Sequence, residues 1–221
     1  MTEVPDWLDI LAAQAQRIRV PKYLRPPDGA GRVAAVLMLF GEGPLGPDVL
    51  LIQRSTHGRR HAGQPAFPGG GVDPDDGGPV EAALREAEEE TGVDPSGVHV
   101  LCTMPELYLN HSDNRVTPVI AWWREPSAVH AASPREVESV ERVPIAELVD
   151  PGNRVMLRHP SGMAGPAFRV RGMLVWGFTA MVLDTVLREG GLERPWDPTR
   201  GGGPPAGNDQ ELAGRSQRHA E

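Results

Sequence analysis

Hydrophobic and polar positions along the 221 residues alternate with two different periods, and the two periods divide the chain into helices and strands. Trp7, Leu8, Ile10, Leu11, Ala15 and Ile18 recur at helical spacing and predict a short amphipathic helix over 7–18. Pro21, Pro26 and Pro27 end it and start an irregular connector. The run 33–40, rich in valine and leucine, predicts a buried strand, and 49–53 predicts a second. With 41–48 read as turn material, the two make a hairpin with a long loop. Residues 98–109 alternate loosely and fit one or two strands, 110–114 are a polar turn, and 116–123 are a strong strand. The stretch 136–143 alternates as a half-exposed strand does, and Pro144 then opens a short helix through Leu148. Valine, tryptophan, leucine and methionine at helical spacing over 174–187 predict a core helix. From Asp197 the Gly201-Gly202-Gly203-Pro204-Pro205 segment and the polar remainder predict a flexible tail. The expected organisation is a helix and connector at 1–30, one domain at 31–196 and a tail at 197–221.

One stretch departs from plain amphipathic patterning. Residues 67–93 read FPGGGVDPDDGGPVEAALREAEEETGV. Pro79 suits the first position of a helix and Gly92 the residue just past its end. At about 100° per residue, Glu86, Glu89 and Glu90 share one arc of that helix, while Val80, Leu84, Ala87 and Thr91 lie on another that can face a core. Like charges crowded on one face repel, and a hard divalent cation with oxygen ligands relieves the repulsion. Without one, a run of glutamates is an ordinary solvated face, which is the expectation for Glu88. Upstream, 54–63 holds Arg54, His57, Arg59, Arg60 and His61, which reads either as a solvated basic loop or as a phosphate-contacting one.

Composition narrows the function classes. A net charge of -8 argues against a nucleic-acid binder but not against an anionic substrate, because bound cations reverse the local field. The single cysteine, Cys102, rules out an internal disulfide framework, fits a reducing compartment and is read as a buried inert thiol. Neither an apolar leader nor a run of about 20 apolar residues is present, so the expectation is a cytoplasmic protein with no membrane partner.

Arg85 to Val93 matches every fixed position in the second half of the Nudix box: Arg-Glu-hydrophobic-any-Glu-Glu-any-Gly-hydrophobic. The first half differs: fourteen residues separate Gly70 from Arg85, one more than usual, and Gly77 and Gly78 fill the region of the expected glutamate. The coenzyme A pyrophosphatase branch of that family has a similarly lengthened loop and an upstream signature. Arg54-Ser55, Arg59, Gly63 and Phe67-Pro68-Gly69-Gly70 follow its spacing, although Ile52 stands where threonine is common. The chain therefore resembles that branch of the Nudix hydrolases. The resemblance implies an α/β fold, a mixed β-sheet sandwiched between α-helices, and hydrolysis of a nucleoside-diphosphate-type small molecule with Mg2+ or Mn2+. It implies metal ligation by Glu86, Glu89, Glu90 and the Gly69 carbonyl, and substrate contact by Arg54, Arg59, Gly69 and Gly70. Arg85 is expected to orient the site through Glu81 and Glu89 at four-residue spacing, with Asp73 as the best local replacement for the missing glutamate. Family members often draw a further ligand or base from a distant loop, and Glu136 is the nearest candidate. The segment 176–180 is similar to one near the end of that branch and is read as packing. ADP-ribose, dinucleotides or oxidised nucleotides are the alternative substrates, and a non-catalytic binding module is a third reading against which the intact glutamates speak. A homodimer is compatible with all three.

Overall fold

The computed structural model describes residues 3–27, 29, 31–56, 63–110, 112–158 and 164–202. In chain order its elements are α1 (Asp6–Gln14), β1 (Arg32–Gly43), β2 (Gly46–Arg54), β3 (Pro65–Ala66), β4 (Gly69–Gly71), α2 (Pro79–Thr91), β5 (Val98–Thr103), β6 (Leu107–Leu109), β7 (Asn114–Trp123), β8 (Val137–Pro144), α3 (Ile145–Leu148), β9 (Arg154–Arg158), β10 (Ala164–Val170), β11 (Met173–Val175), α4 (Gly177–Glu189) and β12 (Gly201–Gly202). Eight strands form one mixed sheet in the order β3-β2-β1-β7-β5, with β4 also on β1, β6 on β7 and β8 on β2. The β1–β7 pair is parallel and every other pairing in this sheet is antiparallel.

Strand alternation sorts the sheet's side chains into two cores. Ala35, Leu37 and Leu39 of β1, Leu50 of β2, and Val119, Ala121 and Trp123 of β7 pack under α2. Met38, Phe40, Val49, Leu51, Ile120 and Trp122 point the other way and meet α1, α3 and α4. The mixed sheet between helices is therefore as the resemblance implies. Leu8 and Leu11 are completely buried in the second core, where Trp7 meets Phe40 edge to face at 5.3 Å, so α1 shares the domain's core.

Three boundaries differ from the sequence expectation: the helix predicted over 174–187 starts only at Gly177, because Met173–Val175 pair with β10 as β11, and the hairpin and the tail also differ. The β1–β2 hairpin is tight, because the ladder runs through Glu42 and Asp48 to a Gly43–Gly46 pair and leaves only Pro44 and Leu45 at the tip. Proline presets the first corner of such a turn, and the pairing of polar residues beyond the apolar run hides the strands' true length. The tail boundary also moves. Gly201 and Gly202 add as β12, parallel to β9, in a smaller sheet ordered β11-β10-β9-β12. Arg200 donates to the Pro151 and Gly152 carbonyls, and its own carbonyl accepts from Met156 N–H. Backbone pairing at a free sheet edge needs no apolar pattern, which is why composition missed it. The segment is held further by Trp196, whose ring stacks on the Arg154 guanidinium at 4.5 Å, with Phe168 on the same cation at 4.8 Å.

This docking is testable by truncation. A chain ending at Pro195 should melt about 5 °C below one ending at Gly202. Loss of an aromatic contact to a buried cation costs about 0.5–2 kcal/mol, and in a chain of this size each kcal/mol shifts the midpoint by roughly 2–4 °C. Equal melting temperatures in a thermal scan would show that residues 196–202 contribute nothing to the fold.

Candidate active site

The site is built on α2. Pro79 stands at the helix start, and the helix ends at Gly92, whose left-handed backbone (φ 68) lets its N–H reach the Glu88 carbonyl. The residues turned fully inward are small: Ala82, Ala83 and Ala87 are completely buried against the sheet. Alanine lets the helix axis approach β1 and β4, so side chains at the helix edge reach the strand backbone. Val80 and Leu84 pack at the rim of this core. The acidic arc is consequently graded from core to solvent: Glu90 is 3 % exposed, Glu86 20 % and Glu89 60 %. Glu88 faces solvent, as the helical phase requires.

Glu90 is the deepest of the three. Its Oε2 accepts from the Gly69 N–H at 2.9 Å, and its Oε1 lies 3.6 Å from Arg54 Nη1. The close approach depends on glycine at 69, and glycine at 70 leaves room for Glu86. A Cβ on Gly69 would run into the Ala35 carbonyl and Val36, and one on Gly70 would overlap the Glu86 carboxylate. Burial pushes Glu90 up to about 7 from 4.5, with further upward pressure from Glu86 and Glu136, against the pull of Arg54 and the Gly69 N–H. Glu86 is also raised, chiefly by burial, against the pull of Arg85 and with further upward pressure from Glu89 and Glu136. A group whose protonation is so easily displaced by positive charge is what a cation site requires.

Arg85 is the organising cation, but its main partner is not the expected one. Its Nε and Nη2 grip both oxygens of Asp76 at 3.0 Å each, and Nη2 also donates to the Gly71 carbonyl at 3.0 Å. Nη1 reaches Glu86 at 3.1 Å and Glu89 at 3.4 Å. Asp73 is only a marginal second contact at 3.7 Å and is itself 67 % exposed. Asp76, rather than Asp73, therefore fills the place of the missing box glutamate. Its carboxyl lies below the ordinary carboxylate range, chiefly through Arg85 and then through the Asp73 N–H, which donates to it at 2.8 Å. Glu81 does not reach Arg85, because its carboxylate accepts from Gly77 N–H at 2.8 Å and holds the loop against the helix. A bidentate, loop-borne aspartate cannot be distinguished from its acidic neighbours by spacing alone, since Asp73, Asp75 and Asp76 all stand in the same turn-rich stretch.

Glu136 comes from the segment between β7 and β8. That segment is pinned to the C-terminal end of α2, where His130 N–H donates to the Thr91 carbonyl at 3.0 Å and Ala132 N–H to the Glu90 carbonyl at 3.1 Å. The Glu136 carbonyl accepts from Ser55 N–H at 2.7 Å, next to Arg54. Its carboxylate accepts from Ser133 Oγ at 3.3 Å, and its charge is felt by both Glu86 and Glu90. Ser133 was missed by the sequence reading, although Ser133-Pro134-Arg135-Glu136 has the Ser-x-x-Glu spacing of a capping turn. The structure thus gathers Arg54, Gly69, Gly70, Arg85, Glu86, Glu89, Glu90 and Glu136 at one place. The Arg59 expectation lies outside the described residues.

Among the described residues no three His, Cys, Asp or Glu side chains converge tightly enough to enclose an ion. Arg85 draws Glu86 and Glu89 toward itself, while Glu90 faces Gly69 and Arg54. The donor set nonetheless fits a hard cation. It is all oxygen, it spans one helix face beside the Gly69 carbonyl, and burial raises two of its carboxyls, a cost that a bound cation offsets.

An α/β/α fold with an acidic helix tucked under a glycine strand and clasped by one arginine defines a class of small hydrolases. The NUDIX domain model matches residues 30–160, and the chain belongs to the Nudix hydrolase family. It is 38 % identical over 183 residues to "Uncharacterized Nudix hydrolase NudL" of Shigella flexneri serotype 5b (strain 8401), covering 80 % of this chain and 91 % of that one. The NudL protein of Escherichia coli (strain K12) is 40 % identical over 159 residues, covering 69 % and 79 %. Among solved structures, the chain is similar to the Nudix hydrolase RenU from M. smegmatis, with 28 % identity over 54 % of this chain and 74 % of that one at a TM-score of 0.42.

Two measurements check this description of the site. Asp76→Asn should lower activity by roughly 10- to 100-fold, the usual consequence of losing a residue that orients ligands, while Asp73→Asn changes it little. The reverse ranking would return the orienting role to Asp73. The second is stability against pH in chelator. Because Glu90 titrates near 7 when folded and near 4.5 when unfolded, the folded chain holds a proton that the unfolded chain has released. Its contribution is full below pH 4.5 and is lost as pH rises through 7, on the order of 3 kcal/mol in all. Metal-free wild type should therefore fall in melting temperature, relative to Glu90→Gln, between about pH 4.5 and 7 and level off above. Parallel curves for the two proteins would mean that Glu90 is ionised throughout.

Proposed function

We propose that the protein is a divalent-metal-dependent pyrophosphatase that hydrolyses the diphosphate of coenzyme A or its thioesters to 3′,5′-ADP and (acyl-)phosphopantetheine. The observation that carries this reading is the contact between the two motifs. Arg54, from the segment that resembles the coenzyme A branch, donates to the Gly69 carbonyl at 3.2 Å and reaches the Glu90 carboxylate of the Nudix helix. Glu86, Glu89 and Glu90 would hold Mg2+ or Mn2+ with the Gly69 carbonyl. Such a cation lowers the pKa of a bound water and offsets charge on phosphoryl oxygens. The chain's own residues do the rest. Arg85 keeps Glu86 and Glu89 on one side of the helix edge. Glu136, to which Ser133 donates and whose charge acts on Glu86 and Glu90, would hold or accept a proton from water at the cage. A cytoplasmic setting is supported by the lone thiol, Cys102. No helix among the described residues is long and apolar enough to cross a membrane.

The contacts of Arg54 with Glu90 and the Gly69 carbonyl support a role for it at the diphosphate, which every candidate substrate shares. Recognition of a 3′-phosphate then falls to other residues, and ADP-ribose or a dinucleotide stands as the second reading. The test is a panel of diphosphate substrates assayed with Mg2+ and Mn2+, with coenzyme A against ADP-ribose as the deciding pair. Coenzyme A should give the highest kcat/KM, and chelator should abolish turnover. Arg54→Ala should cost about tenfold or more on every substrate turned over, since a charge-assisted hydrogen bond contributes about 1.5–3 kcal/mol. Glu89→Gln and Glu90→Gln should each cost about 10²–10³, with Glu88→Gln near neutral. Preference for ADP-ribose would move the assignment to the second reading.

A further inference from the structure

A cleft of about 550 Å3 opens on the face of the sheet opposite α2, within the usual range for small-molecule sites. Three of its lining residues follow or precede cage residues closely along the chain. Gln53 is one position from Arg54, Pro65 four from Gly69, and Glu138 two from Glu136. At about 3.3 Å per extended residue, the cleft begins within about 13 Å of Arg54, Gly69 and Glu136. Gln53 and Ser139 are direct cross-strand partners on β2 and β8, so their side chains stand together on the cleft floor. Leu174 and Trp176 form an apolar wall.

The lining is wrong for an anion. Glu138 and Glu141 contribute negative charge, and among the described lining residues the one cation, Arg171, is held by Glu147 at 2.7 Å. It is suited to an extended neutral chain carrying amides. Gln53 donates its amide to the Gly63 carbonyl, which leaves its Oε1 buried without a partner among the described residues, an acceptor with no donor. An unmet acceptor of this kind carries a cost that a ligand N–H removes.

Resting on the coenzyme A reading above, we infer that this cleft binds the uncharged, amide-bearing pantetheine arm of the substrate, with Gln53 and Ser139 as specificity-determining residues. The two neighbouring residues, at a register shift in β2, then separate the two halves of recognition. Arg54 faces the diphosphate on the α2 side, and Gln53 faces the arm on the other.

The test is steady-state kinetics of the full chain with Mg2+ and coenzyme A. Ser139→Trp fills the floor and should raise KM at least tenfold while kcat stays within about twofold, the signature of lost uniform binding. Pantetheine alone, which has no diphosphate, should inhibit the wild type competitively, and this measurement needs no variant to fold. If coenzyme A is hydrolysed but KM is indifferent to Ser139→Trp, or if pantetheine at millimolar concentration does not compete, the cleft is not the arm's site and only this inference falls. A wild type that leaves coenzyme A intact removes the underlying reading, and the inference with it.

Discussion

The structure turns on a carboxylate placed almost wholly out of water. Glu90 is 3 % exposed on a helix that packs by its alanines, and its compensation is a single backbone N–H from Gly69 and a guanidinium 3.6 Å away. Burying a charge costs more than one neutral donor returns, so the group gives way by holding its proton up to about 7. The neighbouring arrangement is shaped by this tension. Alanines bring the helix in, glycines at 69 and 70 remove the atoms that would obstruct it, and Arg54 extends from the end of β2 to offset part of the charge. A fold selected for stability alone would place an apolar side chain at position 90.

Arg85 resolves the complementary problem on the solvent side. Two of the three glutamates would repel if left free, and the loop before the helix is one residue longer than the usual box. One guanidinium addresses both. Its fork takes Asp76 bidentately and so closes the longer loop onto the helix, and its remaining nitrogen holds Glu86 and Glu89 together. Lysine would offer one point of charge to the same partners and would fix neither the loop nor the pair.

Much of this was legible in the sequence, and the rest failed for identifiable reasons. The helix bounds from Pro79 to Gly92 and the outward phase of Glu88 follow from period and capping chemistry, which are local. The identity of Arg85's partner was not legible, because three aspartates of equal chemistry share one loop and only the turn decides which faces the arginine. Docking of Arg200 and Gly201 on β9 was hidden for a related reason, since backbone hydrogen bonds leave no mark on residue type. Arg154 shows the limit from the other direction. A residue type expected at the surface is 1 % exposed between Phe168 and Trp196, paired with Asp184. Sequence alone does not show that two rings and a carboxylate from distant segments will meet it.

The placement of the site on both sides of one strand end has a consequence for how such a protein can change. Arg54 and Gln53 are adjacent at a register shift in β2, and their contacts lie apart, Arg54 at Glu90 and Gln53 in the cleft. The carboxylates, the glycines and Arg85 all depend on one another through contacts near 3 Å, so a substitution there disturbs several groups at once. The far face is looser: Gln53, Ser139, Leu174 and Trp176 belong to three separate segments and share an open cleft. On the reading proposed above, substitutions on that side alter which group beside the diphosphate is accepted without passing through the helix that carries the charge. On the coenzyme A reading proposed above, the hydrolytic machinery and the recognition of the arm are physically separable in this fold, and the strand end between Gln53 and Arg54 is where they meet.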